Sequence, residues 1–261
     1  MSNKEKILSA LKNKSLVKII SGIQNYDKQK TLNVAMAGEL GGATCIDISD
    51  DEEIIKTVRA SVEVPLFFSS VDPKKLIRAQ ELGADVLEIG NYEPYYKEGR
   101  LFTRKEITEI VKAVKIAQGR NVLLCCTVPG TLEIENQVKL ANVLLNLGVD
   151  ILQTEGFPPE TPVSDRSDQA FNEILQSSST LANLIELRKT LKDVPIICAS
   201  GITPRTLPFV FAGGASGVGI GTYINSLPSQ TLMQEKIEEI METIKVAVKQ
   251  TQSVKELALK L

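Results

Sequence analysis

Short apolar runs of strand length alternate along this chain with stretches in which apolar positions recur at helical spacing. The runs fall near residues 16–21, 43–48, 65–69, 84–89, 121–127, 150–154, 194–199 and 216–220. The segments between them carry capping signals: Ser49 three residues before Glu52, Thr103 three before Glu106, and the pairs Asp72-Pro73 and Thr203-Pro204, which set a capping residue ahead of a proline. Another helix is expected near Asp27, after a loop over 23–26. This alternation predicts βαβ units and a parallel sheet. Residues 5–11 form an amphipathic segment suited to covering the floor of such a structure. Residues 232–248 form a closing helix with Ile237, Ile240, Met241, Ile244 and Val248 at helical spacing, and 254–261 a short helix after it.

The runs are of two kinds. Even-numbered ones follow a helix-end glycine (Gly42, Gly83, Gly148, Gly214), whereas 64–70 and 194–200 share a Val-Pro start, an apolar centre and a serine end, with 121–127 a looser copy. A barrel of repeated βαβ pairs gives rise to such alternation, and an open two-layer sheet does not. The prediction is therefore an α/β fold, a (β/α)8 TIM barrel forming one domain over 1–261, with a short N-terminal helix and a C-terminal helical extension. Aligning the even runs turns Ile46, Leu87, Leu152 and Val218 toward the helices. Asp47, Glu88, Gln153 and Gly219 then share one interior layer, with Ser49, Gly90, Glu155 and Gly221 above it near the mouth. On the odd runs Lys18 points inward, and Ser70, Thr127 and Ser200 form a hydroxyl rim.

Barrel interiors are mostly Val, Ile and Leu, so a lysine and three carboxylates there need partners or water. A structural ion-pair network around Lys18 is one account. An active site is the stronger one, because these residues gather at the C-terminal ends of strands: Lys18 with a lowered pKa acts as base or Schiff-base amine, and Asp47, Glu88 or Glu155 exchanges protons. Gly217, Gly219 and Gly221 strip one face of the last strand, and the strand before it ends in Ser200-Gly201. Backbone amides around Gly201-Ile202 and Gly219-Ile220-Gly221-Thr222 are expected to converge on one phosphate, with Thr222 opening a short helix. The alternative is that the glycines only relieve crowding against the first strand. Two long connections, 91–102 and 156–168, lie at the same end. The first begins at Asn91 and holds three of the five tyrosines together with Lys97 and Arg100. It either closes on an anionic ligand as a lid or packs its aromatics on the rim.

Composition narrows the partners. A chain 43% hydrophobic and 24% charged, with a net charge of -2, favours neither nucleic acid nor an anionic membrane. No apolar run approaches the roughly 18 residues of a spanning helix, and the first fourteen residues contain Glu5 and no apolar core of a secretory or transit signal. Cys45, Cys125, Cys126 and Cys198 lie within strands without CxxC spacing and read as core thiols. The absence of histidine removes His-ligated zinc and Ser/His or Cys/His pairs, leaves no metal motif, and passes acid–base chemistry to Lys, Asp, Glu or Tyr.

The segments Lys18-Ile19-Ile20-Ser21-Gly22, Asn25-Tyr26-Asp27, Gly41-Gly42-Ala43-Thr44, Glu88-Ile89-Gly90-Asn91, Thr127-Val128-Pro129, Gln153-Thr154-Glu155-Gly156, Cys198-Ala199-Ser200-Gly201 and Gly214-Ala215-Ser216-Gly217-Val218-Gly219 together carry a resemblance over nearly the whole chain. It is similar to the uncharacterised hypothetical chloroplast reading frame twenty-three family of algal plastids and cyanobacteria. The resemblance implies a barrel like those of the ribulose-phosphate-binding group, and a location in the plastid stroma or the cyanobacterial cytoplasm. It implies no reaction. The residues suggest a small phosphorylated ligand and isomerisation, epimerisation or aldol-type cleavage by Lys18 with Asp47, Glu88 and Glu155. Two other readings stay open: an FMN-dependent oxidoreductase with the cofactor phosphate on the glycines and Lys18 near the ring, and a non-catalytic phosphometabolite sensor or partner-binding barrel. Mg²⁺ joining the carboxylates and assembly into an oligomer are likewise open.

Overall fold

The apolar runs pair side by side in chain order and close on themselves. In a computed structural model describing residues 1–119, 121–157 and 169–258, eight parallel strands form a closed barrel: β1 (Leu16–Ile20), β2 (Cys45–Ile48), β3 (Leu66–Ser70), β4 (Val86–Ile89), β5 (Leu123–Val128), β6 (Ile151–Thr154), β7 (Ile196–Cys198) and β8 (Gly217–Ile220). β8 returns to β1 in a register that sets Lys18 beside Gly219. Around the barrel run α1 (Asn3–Lys12), α2 (Lys28–Leu40), α3 (Glu52–Arg59), α4 (Pro73–Glu81), α5 (Glu93–Lys97), α6 (Arg104–Ala117), α7 (Ile134–Asn146), α8 (Gln169–Thr190), α9 (Leu207–Ala212), α10 (Thr222–Asn225) and α11 (Gln230–Ala258).

Most helix starts follow their local chemistry. The Thr103 hydroxyl and Glu106 carboxylate form the expected capping box, Asp72 caps α4 ahead of Pro73, and Asp27 accepts from the Lys30 amide. Two starts differ. Asp51 caps α3 by accepting from the amides of Glu53 and Ile54, while Ser49 donates to the Asn25 carbonyl 2.8 Å away. Thr203 does not cap α9, which begins at Leu207. Its hydroxyl donates to Glu173 at 2.7 Å and its amide to Thr206. The closing helix continues without a break to Ala258, so the separate helix expected from 254 does not form over the described residues.

Alternation along the strands divides the core. Ile46, Leu87, Leu152 and Val218 face the helices within the larger apolar cluster. Inside, Leu16, Phe67, Leu123 and Ile197 from odd strands and Cys45, Val86 and Ile151 from even ones fill the lower barrel, closed from below by Ile7 and Leu11 of α1. The four cysteines are buried free thiols. Above this plug the alternation places Lys18 and Ser69, then Asp47, Glu88, Gln153 and Gly219. The inward serine of β3 is therefore Ser69. Ser70 points the other way and donates to Asp50 at 3.0 Å, and on β7 the inward place is taken by Ala199 instead of Ser200.

The alternating glycines of β8 have separate reasons. A Cβ at Gly217 would stand 2.7 Å from Leu16, and one at Gly219 would stand 2.9 Å from the Ala199 methyl and 3.0 Å from Ile20. Both relieve crowding at barrel closure. A Cβ at Gly221 would meet nothing nearer than 3.5 Å, so packing does not require that glycine. Gly219→Val is expected to cost about 1–3 kcal/mol through overpacking, and Gly221→Ala clearly less; urea unfolding of the ligand-free proteins measures both.

Candidate active site

A lysine in the middle of β1 has no route to water and must be matched inside the barrel. Lys18 Nζ lies 2.5 Å from Glu88 Oε2 and 3.4 Å from Asp47 Oδ2, with side chains 0%, 0% and 1% exposed respectively, and 4.9 Å from the centroid of the Phe67 ring. Both carboxylates accept from further donors, Asn91 sharing with Lys18 the Oδ2 of Asp47. Asp47 accepts from Ser69 Oγ at 2.5 Å and from Asn91 Nδ2 at 2.9 Å. Glu88 Oε1 accepts from Gln153 Nε2 at 2.8 Å and from Thr127 Oγ1 at 3.4 Å. Buried charges persist when paired and hydrogen-bonded in this way.

The electrostatics reverse one expectation. Burial works to lower the Lys18 pKa, but Asp47 and Glu88 outweigh it, so the ammonium is held well above its ordinary range instead of being lowered toward a free amine. Burial also pushes Glu88 up, joined by repulsion from Asp47 and opposed by Lys18.

A cavity of about 570 Å³ opens at the C-terminal mouth of the barrel, within the usual range for small-ligand sites. Asn91, Thr127, Gln153 and Glu155 border it, whereas Lys18, Asp47 and Glu88 do not. The residues named from the sequence thus divide into a sealed triad and a cavity lining, joined through Asn91, Thr127 and Gln153. Asn91 adopts φ 60°, a left-handed conformation that asparagine tolerates, and this turns its amide down onto Asp47.

Glu155 is the pocket carboxylate closest in character to a catalytic acid or base. It accepts from the Tyr92 amide at 2.9 Å, the Tyr96 hydroxyl at 2.6 Å and the Gly130 amide at 3.4 Å. Burial outweighs these donors and pushes its pKa up to about 7. No sequence signal linked Tyr92, Tyr96 or Gly130 to it. They meet because α5 folds the connection after β4 across the mouth.

Ser200, Gly201, Ile202, Gly221, Thr222 and Tyr223 form another wall of the cavity. Ser200 and Gly201 have φ 83° and 68°, and a Cβ at Gly201 would come within 2.5 Å of the α8 backbone at Gln176. Gly201 is therefore needed by conformation and by packing alike. Among the described residues no acceptor meets the amides of Gly201, Ile202, Thr222 and Tyr223, the last two being free because a helix's first amides lack intrahelical partners. Gly219 lies below this wall, against Ala199 and Ile20.

Arg100 does not border the cavity. Its guanidinium stacks 4.5 Å from the Phe102 ring and 5.5 Å from Tyr95, and Tyr92 packs on Phe102 at 4.6 Å, so these aromatics fix the connection to the rim. Of the second long connection, residues 158–168 lie outside the described residues.

The donor sets bear on the cofactors. Among the described residues no three Cys, Asp or Glu side chains gather to hold a metal ion, and the Lys18 ammonium stands between the carboxylates that Mg²⁺ would use. The flavin reading needs a lysine beside the ring, and Lys18 is roofed by Asn91 and Gln153. Neither group fits the role first considered.

The closed barrel and its mouth cavity define a (β/α)8 protein with a ligand-sized site at the C-terminal face of the strands. Residues 1–251 match the model of the family described as "Protein of unknown function (DUF561)", and the chain belongs to that family. It is 38% identical over 248 residues to the uncharacterized protein ycf23 of Porphyra purpurea, covering 94% of this chain and 90% of the relative. With ycf23 of Cyanidium caldarium it shares 35% identity over 254 residues, covering 97% and 98%. These relatives are ycf23 proteins of plastid genomes, in agreement with the family and setting implied by the resemblance. No helix among the described residues is long and apolar enough to cross a membrane. Similar solved structures include (S)-3-O-geranylgeranylglyceryl phosphate synthase from Thermoplasma acidophilum, with TM-score 0.60, 15% identity and coverage of 94% of this chain and 99% of that one. Another is 3-hexulose-6-phosphate synthase, with TM-score 0.60, 16% identity and coverage of 88% and 99%. At these identities the likeness shows the fold alone.

Lys18→Met leaves two sealed carboxylates without their cation. It is expected to destabilise the protein by about 3–5 kcal/mol, and adding Asp47→Asn and Glu88→Gln should restore most of the loss in urea unfolding. Glu155 has its own signature. A carboxyl whose folded pKa is raised contributes stability below its unfolded value, here 4.5, and loses it as pH rises through about 7. The stability difference between wild type and Glu155→Gln should therefore change across that window; a constant difference would contradict the raised pKa.

Proposed function

We propose that this barrel binds a small phosphorylated metabolite at its mouth and moves a proton on it, in an isomerisation, epimerisation or aldol-type cleavage. The observation that carries this reading is a single cavity with unpartnered amides on one wall and Glu155 on another. The amides of Gly201, Ile202, Thr222 and Tyr223 suit a phosphate without any basic side chain, as backbone donors do at many anion sites. α10 is a single turn, so the attraction comes from the amides themselves and not from a long helix dipole.

Glu155 serves as the proton-transfer group. A carboxyl titrating near neutrality has both forms available, and the Tyr96 hydroxyl and the Tyr92 and Gly130 amides stabilise its anionic form. Lys18, Asp47 and Glu88 act as positioning residues: the triad fixes Asn91 and Gln153, which bear on the ligand. The other two carboxylates of the cavity lining among the described residues have cationic partners, Glu173 with Arg205 at 3.4 Å and Glu93 with Lys97 at 3.1 Å, which reduces their repulsion of a phosphate. Two solved barrels of the same fold carry names that point the same way, one in complex with its substrate sn-glycerol-1-phosphate and the other a 3-hexulose-6-phosphate synthase. A plastid stroma or cyanobacterial cytoplasm is the proposed setting.

Inorganic phosphate is expected to raise the thermal midpoint of the wild type, and Gly221→Ala to reduce that rise by more than it lowers the ligand-free midpoint. An unmoved wild-type midpoint would sink the phosphate site. Proton transfer is read separately, by deuterium uptake from heavy water into a panel of phosphorylated ketoses. Glu155→Gln should abolish the uptake while keeping the phosphate response. Absence of uptake in the wild type across the panel leaves a binding protein and removes the catalytic part.

A further inference from the structure

We infer that the occupant of the cavity is a polyhydroxylated phosphate ester, one of whose hydroxyls donates to the side-chain carbonyl oxygen of Gln153. This rests on the phosphate reading above and specifies the other end of the ligand. Gln153 is 1% exposed and borders the cavity. Its Nε2 is directed into the floor, 2.8 Å from Glu88 Oε1, 3.1 Å from Thr127 Oγ1 and 3.5 Å from Asn91 Oδ1. The amide cannot be turned over, because that would set Oε1 against a carboxylate oxygen that only accepts. Oε1 is thereby turned away from the floor network, and among the described residues it is buried without a hydrogen-bond partner. Buried carbonyl oxygens are rarely left unpaired, since each forfeits its hydration.

A second residue of the lining repeats the pattern. Asn225 gives its Nδ2 to the Ile20 carbonyl at 2.7 Å, which ties α10 to β1, and leaves its Oδ1 buried and unpartnered among the described residues. Two residues of the cavity lining thus each carry a buried neutral acceptor, with the amide held through its nitrogen by hydrogen bonds to the barrel. Neutral acceptors call for neutral donors. An ammonium group would need an anionic partner, and the carboxylates of the described lining are already engaged: Glu155 accepts from three protein donors, and Glu173 and Glu93 pair with Arg205 and Lys97. Hydroxyls meet the requirement, and an alkyl chain would leave both oxygens unpaired.

The test compares two esters of equal chain length, ribitol 5-phosphate and n-pentyl phosphate, together with inorganic phosphate, by isothermal titration calorimetry on the full chain. The wild type is expected to prefer ribitol 5-phosphate by at least about tenfold. Gln153→Met should bring the two esters close to parity while inorganic phosphate binds as before. The wild-type comparison stands even where the variant fails to fold. Equal wild-type affinities for the two esters, or a preference that survives in folded Gln153→Met, would overturn the assignment and leave the phosphate site intact. Failure of all three probes to bind would overturn the phosphate reading and this inference with it.

Discussion

The positive charge on Lys18 must be balanced where water does not reach. A lysine in mid-strand inside a closed barrel cannot extend its ammonium to solvent, so the adjacent β2 supplies Asp47 and β4, across the barrel interior, supplies Glu88. Their oxygens need further donors in turn, and these come from Ser69, Asn91, Thr127 and Gln153. The polar centre of the barrel is the satisfaction of one buried charge, propagated upward one layer at a time. The left-handed backbone at Asn91 and the fixed orientation of the Gln153 amide both follow from it.

That propagation separates stabilising groups from groups that meet a ligand. The triad is sealed and its carboxylates hold the lysine pKa above its ordinary range, so the proton transfer proposed at the mouth falls to groups one layer higher. Glu155 lies in that layer with no cation beside it among the described residues, and burial brings its titration near neutrality. The same distinction runs along β8. Gly217 and Gly219 are small because other strands press on them, and Gly221, at the rim, stays open toward the cavity.

A one-residue phase difference shows how narrow the margin is. In Ser69-Ser70 and Ala199-Ser200 two small residues stand side by side, and either could face inward without violating the apolar pattern. In the folded chain Ser69 reaches Asp47 and Ser70 reaches Asp50, so both hydroxyls find carboxylates on opposite faces of one strand. Pairing with β2 and β4 decides between them, since register fixes every side chain on a strand at once.

By itself the sequence determined the barrel, the chain order of its strands and the even-strand layer of Asp47, Glu88, Gln153 and Gly219, because strand periodicity and repeated βαβ units are local properties of the chain. It also placed Lys18 inward and brought the glycines and the carboxylates to one end. Only the tertiary structure decided which of these touch the cavity. Whether a side chain is roofed depends on residues far away in sequence: Asn91 crosses 44 positions to Asp47, and Gln153 crosses 65 to Glu88. The raised pKa of Lys18, opposite to the lowering expected from its inward position, has the same origin. Desolvation can be anticipated from an inward position, but the two carboxylates that outweigh it are brought to Lys18 from β2 and β4 by closure of the barrel, which no single strand encodes.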